Sequence, residues 1–292
     1  MGGTTYSSSS RSTRAIASGY YSKSVNDTFA QNKVRRIHET MDPKNALIRE
    51  ARDSEAHPLS VPIVFALDVT GSMGKIPSYL VKDGLPHLMD SIIQGGVKDP
   101  QILFLGIGDW VYDSYPLQVG QFESGDEELD LWLTRTYLEG GGGGNEGESY
   151  SLAWYFAAKH TVTDAWEKRK QKGFIFTVGD EPCLRNLSES VVKEIMGTNS
   201  QSGFSDKELL VMAQEKYNVY HLHIMEGSAG HAFLPYWKEL LRDNCITVEN
   251  HTEVSKIIAE IVVKNSHPSV KQQSTEQGPN VSTTTTTEEI LL

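Results

Sequence analysis

The sequence predicts an α/β fold of the doubly wound, Rossmann-like class: a three-layer sandwich built on a mostly parallel sheet with one antiparallel edge strand. Near-continuous apolar runs recur at VPIVFALD (61–68), QILFLGIG (101–108) and GFIFTVGD (173–180). Such runs mark strands covered on both faces. Helical segments separate them, so strand and helix alternate at least five times, the order of a doubly wound sheet. The span 61–264 also has no room for the eight units of a closed barrel.

In chain order, residues 1–25 are rich in Ser, Thr, Tyr and Gly without an apolar period, and a flexible arm is expected there. Residues 26–60 read as a helical or extended leader, with Asn26 or Asp27 as a cap and a turn at His57-Pro58. The run 61–68 opens the main domain, 61–264. TGSMG turns the chain into a helical pattern over 75–95, irregular around Pro77 and Pro86. After 101–108, the segment VYDSYPLQVGQF (111–122) is expected to return as a hairpin strand on the sheet edge. EELDLWLTRTYL (127–138) spaces Leu129, Trp132, Leu133 and Tyr137 along one helix face. Beyond the glycine run 140–144, residues 148–169 read as one long helix. The strand 173–180 follows, then a helix over 206–217 capped by Ser205, a strand over 219–225 and a helix over 235–244. A short strand at 245–249 and a closing helix over 253–264 complete the domain, and residues 265–292 form a polar, threonine-rich tail.

The 292 residues carry 38 acids and 27 bases, a net charge of -11. Neutralising phosphates needs a basic surface, so neither nucleic acid nor an anionic membrane is expected as a partner. The acidity is concentrated. Between 109 and 148 ten acids stand against one base, Arg135, a net of -9 expected to form a single ligand-facing rim. Residues 1–60, with nine bases and six acids, are mildly basic. Cys183 and Cys245 read as reduced thiols, since two cysteines make no disulfide framework. The start MGGTTYSSSSRS lacks the apolar core of a signal peptide and no run of 18 apolar residues follows, so a cytoplasmic protein is expected.

The sharpest chemical feature is DVTGS, 68–72. Asp68 ends an apolar strand, where open α/β sheets place their ligands. Thr70 and Ser72 bring two hydroxyls around Gly71, which permits a tight turn. Carboxylate and hydroxyl oxygens suit Mg²⁺ or Mn²⁺ rather than Zn²⁺. A helix N-cap is the competing role for these residues. Asp180 ends another buried strand in VGDE, and two strand-end carboxylates repel unless a cation or hydrogen bonds stabilise them. Asp180 could instead cap a helix starting near Pro182. Asp109 and Asp113 could enrich the same crevice, form a second cation site, or cap turns. His221 and His223 share one strand face and His231 follows, which fits core positions better than a zinc triad. Neither GxSxG nor GxxxxGK[ST] occurs.

DVTGSM resembles the DxSxS or DxTxS signature of von Willebrand factor type A (VWA) domains, and the strand–helix order from 61 to 264, with Asp180 after a buried strand, is similar to theirs. The resemblance implies the VWA fold and a metal-ion-dependent adhesion site (MIDAS). Thr70 and Ser72 would then bind Mg²⁺ directly, and Asp68 and Asp180 directly or through water. GGGGGNEGES (140–149) resembles a variant GGGDxPE-type loop, which puts Asn145 where Asp stands and Glu148 where Glu stands. The family's TDG is GDE here, adding Glu181. The implied function is a protein-binding adaptor or scaffold whose partner completes the metal shell with an Asp or Glu. Cytoplasmic members of the family act with AAA+ ATPases or in multiprotein assemblies. The alternatives are a metal-dependent hydrolase of phosphate esters that uses two ions, and a structural assembly protein with a degenerate metal site.

Overall fold

A computed structural model describes residues 5–140, 147–200, 202–227 and 229–266. The apolar runs form the strands of a six-stranded sheet: β1 (Val61–Asp68), β2 (Pro100–Ile107), β3 (Leu117–Glu123), β4 (Gly173–Gly179), β5 (Tyr217–Ile224) and β6 (Cys245–Val248). Their spatial order is β6-β5-β4-β1-β2-β3. All neighbours run parallel except β2 and β3, which are antiparallel. The doubly wound class and the antiparallel edge strand are therefore as expected, although β3 begins later than the hairpin anticipated over 111–122.

The principal helices are α1 (Ser8–Ala17), α2 (Leu85–Gln94), α3 (Asp126–Thr134), α4 (Tyr150–His160), α5 (Asp206–Lys216), α6 (Gly230–Leu241) and α7 (Val254–Ser266). Alternation along β1 divides the core between two faces. Ile63, Phe65 and Leu67 pack with Leu88 and Ile92 of α2 and Ile258 and Val262 of α7. Val64 and Ala66 pack on the other face with Trp154 of α4, Leu209 of α5 and Trp237 of α6. Pro86 lacks an N–H and its ring crowds the preceding turn. The chain relieves this by widening into a π-helical turn at Leu80–Gly84, just before α2.

The helix expected over 148–169 breaks. Thr161, Val162 and Thr163 are β-branched and leave α4 to form a parallel ladder with Arg49–Ala51 of the leader. The Thr163 hydroxyl then accepts a hydrogen bond from the Trp166 amide and caps a short helix, Asp164–Arg169. The leader is extended at 49–51 and otherwise runs in short helical turns. It buries Phe29, Met41, Ala46 and Ala51, so the folded body extends well before residue 61.

The expectation of a flexible arm is corrected over Ser8–Ala17. There α1 is capped by Ser7, whose hydroxyl accepts from the Ser10 amide. Arg11 is buried and donates from Nε to Asp130 Oδ1 at 2.9 Å, while Arg14 pairs with Asp126 and Asp130 of α3. The residues that α1 buries are Arg11 and Ala15, so its inner face carries no apolar stripe to announce it. This docking also corrects the picture of one acidic rim, because Asp126 and Asp130 are engaged by the N-terminal helix.

A second ionic network ties the leader to the Asp164 turn. Burial alone would raise the Asp164 carboxyl, but donors from Lys168 Nζ (2.6 Å), the Asp53 amide (2.9 Å) and Arg52 Nη1 (2.9 Å) bring it down to about 2. A carboxylate depressed on folding contributes stability that is complete above its unfolded value, about 4, and is lost as pH falls through its folded value. Acid titration followed by circular dichroism should thus show stability falling between about pH 4 and about pH 2. Asp164→Asn should flatten that limb, and an unchanged acid limb would remove the network from the account.

Cys183 and Cys245 are buried free thiols. No helix among the described residues is long and apolar enough to cross a membrane.

Candidate metal centre

The strand order reverses between β1 and β4: the chain proceeds outward from β1 through β2 to β3, then returns to the other side of β1 for β4. Helices from the two halves pack on opposite faces, and the carboxyl ends of these two strands are the place where open sheets of this class carry a ligand crevice. Register pairs Leu67 with Val178, so Asp68 at the end of β1 and Asp180 just after β4 emerge side by side. Both carboxylates are fully buried.

Four oxygen-bearing residues are linked there. Asp68 Oδ1 accepts from the Thr70 amide at 2.9 Å and from Thr70 Oγ1 at 2.6 Å. Thr70 Oγ1 lies 3.2 Å from Ser72 Oγ, and Ser72 Oγ donates to Asp180 Oδ1 at 2.9 Å. The hydroxyl protons of Thr70 and Ser72 are thus taken up by carboxylates, and each hydroxyl oxygen keeps lone pairs for a further group. The capping roles are not adopted. Thr70 makes no side-chain cap to the 3₁₀ turn Gly71–Met73, and no helix begins at Pro182; the next starts at Glu189.

Two groups invisible as site residues in the sequence complete the arrangement. Tyr150, at the start of α4, donates its hydroxyl to Asp68 Oδ2 at 2.7 Å. The Ala229 amide donates to Asp180 Oδ2 at 3.1 Å. Glycine is required on both sides: a Cβ at Gly179 would overlap the Tyr150 hydroxyl, and one at Gly227 would overlap the Asp180 carboxylate. Neither donor carries a local signature, since Tyr150 stands 82 positions from Asp68 and Ala229 stands 49 from Asp180.

Glu148 is held beside this cluster through its backbone. Its amide donates to Pro182 O at 2.8 Å and its carbonyl accepts from the Leu184 amide at 2.9 Å. Its side chain is buried and Oε2 has no hydrogen-bond partner among the described residues; the same is true of buried Asp109 Oδ2. Asp109 is otherwise a turn residue, accepting from the Val111 amide at 2.7 Å while Asp113 accepts from the Asp109 amide. Asn145 lies outside the described residues. Burial, reinforced by Asp68, Glu181 and Asp109, pushes the Glu148 carboxyl well above its usual range. Burial likewise pushes Asp68 up to about 7; Thr70 and Tyr150 oppose the rise and Asp180 adds to it.

These oxygens are of the kind that suits a hard cation, with carboxylates to balance charge and hydroxyls as neutral ligands, and the unpartnered oxygens of Glu148 and Asp109 lie nearby. Among the described residues no group of three or more His, Cys, Asp or Glu side chains is placed to hold a metal ion. A cation at this edge would therefore draw on Thr70 and Ser72 together with the carboxylates. His221, His223 and His231 do not converge as a triad: the first two are buried and hydrogen-bonded to each other, and His231 is exposed.

No family model and no curated protein matches this chain. Solved structures do. The pilus adhesin SpaC from Lactobacillus rhamnosus GG, in its open conformation, superposes with a TM-score of 0.50 at 13% identity, over 74% of this chain and 31% of the adhesin chain. Proximal thread matrix protein 1 from the mussel byssus gives a TM-score of 0.46 at 12% identity, over 71% of this chain and 48% of that one. The present chain thus spans only part of the length of either protein, and the likeness to the adhesin is one of fold.

Proposed function

We propose that this chain contains a VWA-like domain that binds a protein partner through a Mg²⁺-centred, MIDAS-type site at Asp68, Thr70, Ser72 and Asp180. One observation carries the reading: Ser72 Oγ meets Asp180 Oδ1 at 2.9 Å across 108 positions of sequence, closing a chain of oxygens that runs from Asp68 through Thr70. Two fully buried carboxylates repel across a low-dielectric crevice, and the largest influences on Asp68 include no cation. A divalent ion would offset that cost, and Mn²⁺ would serve as well as Mg²⁺.

When bound, the ion supplies a positive centre with a coordination position open to a carboxylate from outside. Thr70 and Ser72 would hold it through their lone pairs, and Asp68 and Asp180 would join them directly or through water while keeping those hydroxyls oriented and balancing the charge. Glu148 would add a further carboxylate. Glu181, half-buried beside the site, favours a partner that presents one Asp or Glu among basic residues. A cytoplasmic multiprotein assembly, with an AAA+ ATPase as one candidate member, fits the family resemblance.

Immobilised protein should retain its partner in Mg²⁺ and release it into EDTA, and Asp68→Ala should retain none. Retention that ignores both EDTA and Asp68→Ala would point to an assembly surface elsewhere. Mg²⁺-dependent turnover of a phosphate ester by the same preparation would favour a hydrolase.

A further inference from the structure

Behind the two carboxylates lies a buried chain of hydrogen bonds that the proposed coordination does not use. Thr177 Oγ1 lies 2.9 Å from His221 Nδ1, His221 Nε2 lies 3.2 Å from His223 Nδ1, and His223 Nε2 lies 2.6 Å from the Gly230 carbonyl. Both rings are fully buried. The polarity of the chain follows from its last member. A carbonyl oxygen only accepts, so His223 Nε2 carries the proton and its Nδ1 accepts from His221 Nε2–H. His221 Nδ1 then accepts from the Thr177 hydroxyl at 2.9 Å, which also points to the more distant Tyr220 carbonyl at 3.3 Å. Burial holds both imidazoles neutral, as this pattern of donors requires.

Two members of this chain, Gly230 and His221, stand next to groups that hold the buried aspartates. Beyond Gly230, the neighbouring Ala229 amide donates to Asp180 Oδ2 at 3.1 Å. Gly230 sits tightly against the end of β5, where a Cβ would come within 2.9 Å of Met225 Cα. On the other side, His221 stacks on Trp237 with ring centroids 3.5 Å apart and meets the edge of Tyr150 at 5.5 Å. The Tyr150 hydroxyl donates to Asp68.

We infer that His223, backed by His221, is a positioning residue for the cation site: its Nε2–H fixes Gly230, and through it the Ala229 amide that orients Asp180. This rests on Asp180 being a ligand of the bound cation. Removing a direct hydrogen-bond partner of a ligand typically changes metal affinity about 10–100-fold; the Ala229 amide is that partner here, and His223 acts one step behind it.

The test is calorimetric titration of the full chain with MgCl₂. Wild type should bind, and His223→Leu, which keeps bulk but neither donates nor accepts, should weaken Mg²⁺ binding several-fold, up to about tenfold. His223→Gln carries an amide that can reach Gly230 and accept from His221, and should recover most of the affinity. A purely structural role predicts that both variants lose stability in EDTA while their Mg²⁺ affinity stays at the wild-type value, and that result overturns the inference. Should His223→Leu fail to fold, ¹⁵N imidazole spectra of wild type decide: the His223 resonances should move on Mg²⁺ saturation, and unmoved resonances overturn the assignment. Absence of Mg²⁺ binding by wild type is a separate outcome that overturns the cation reading itself and the positioning role with it.

Discussion

Saturating Mg²⁺ should raise the melting temperature of the metal-free protein by about 5–10 °C, and Asp68→Ala should abolish the rise. An ion that binds only the folded chain adds about 2.7 kcal/mol at a hundredfold excess over its Kd. A domain of this size shifts by about 2–4 °C per kcal/mol. The effect has a pH sign. Asp68 is pushed up to about 7, so its contribution to metal-free stability is complete below the unfolded carboxylate value and is lost as pH rises through the folded one. Proton and cation compete for the same oxygens, so the Mg²⁺ gain should be larger at about pH 8 than at about pH 5. Differential scanning fluorimetry with MgCl₂ against EDTA measures both. Identical melting curves at millimolar Mg²⁺ would sink the metal centre.

Gly179→Ala should destabilise the fold by about 1–3 kcal/mol, the usual cost of overpacking a close-packed core, and should lower Mg²⁺ affinity in parallel. The added methyl would overlap the Tyr150 hydroxyl and stand 2.7 Å from Tyr150 Cζ and 3.0 Å from Asp68 Oδ2. Tyr150 is fully buried against Trp237 and His221, which leaves it little room to withdraw. Adding Tyr150→Phe in the same background should return part of the stability, because the nearest clashing atom is removed. Chemical denaturation of the single and double variants provides the comparison. A Gly179→Ala protein as stable as wild type would show that the crevice wall yields more readily than its packing implies.

The central sheet was legible because its strands are nearly all apolar and punctuated by turns, a pattern set within a few residues. Asp68, Thr70 and Ser72 were legible for the same reason: they lie within five positions of one another, beginning at the last residue of the strand. Helix α1 was not. Its inner face is built on Arg11, whose ion-pair partner Asp130 lies 119 positions away, so no apolar period marks it. The same distant pairing hid the division of the acidic stretch, where Asp126 and Asp130 serve the N-terminal helix while Asp109 and Glu148 lie near the crevice. Residues 161–163 misled because alanine, leucine and lysine in α4 favour continuing the helix; pairing with Arg49–Ala51 overrides that preference.

Hydrophobic period, turn residues and one short motif therefore suffice for the fold class and for naming Asp68, Thr70, Ser72 and Asp180 as candidates, since each depends on neighbours along the chain. The meeting of Ser72 with Asp180, the donors from Tyr150 and Ala229, and the imidazole chain behind them arise where the strand order reverses. They depend on which strands lie side by side. That is settled by packing two apolar faces across the whole sheet, between positions too far apart for any local pattern to connect.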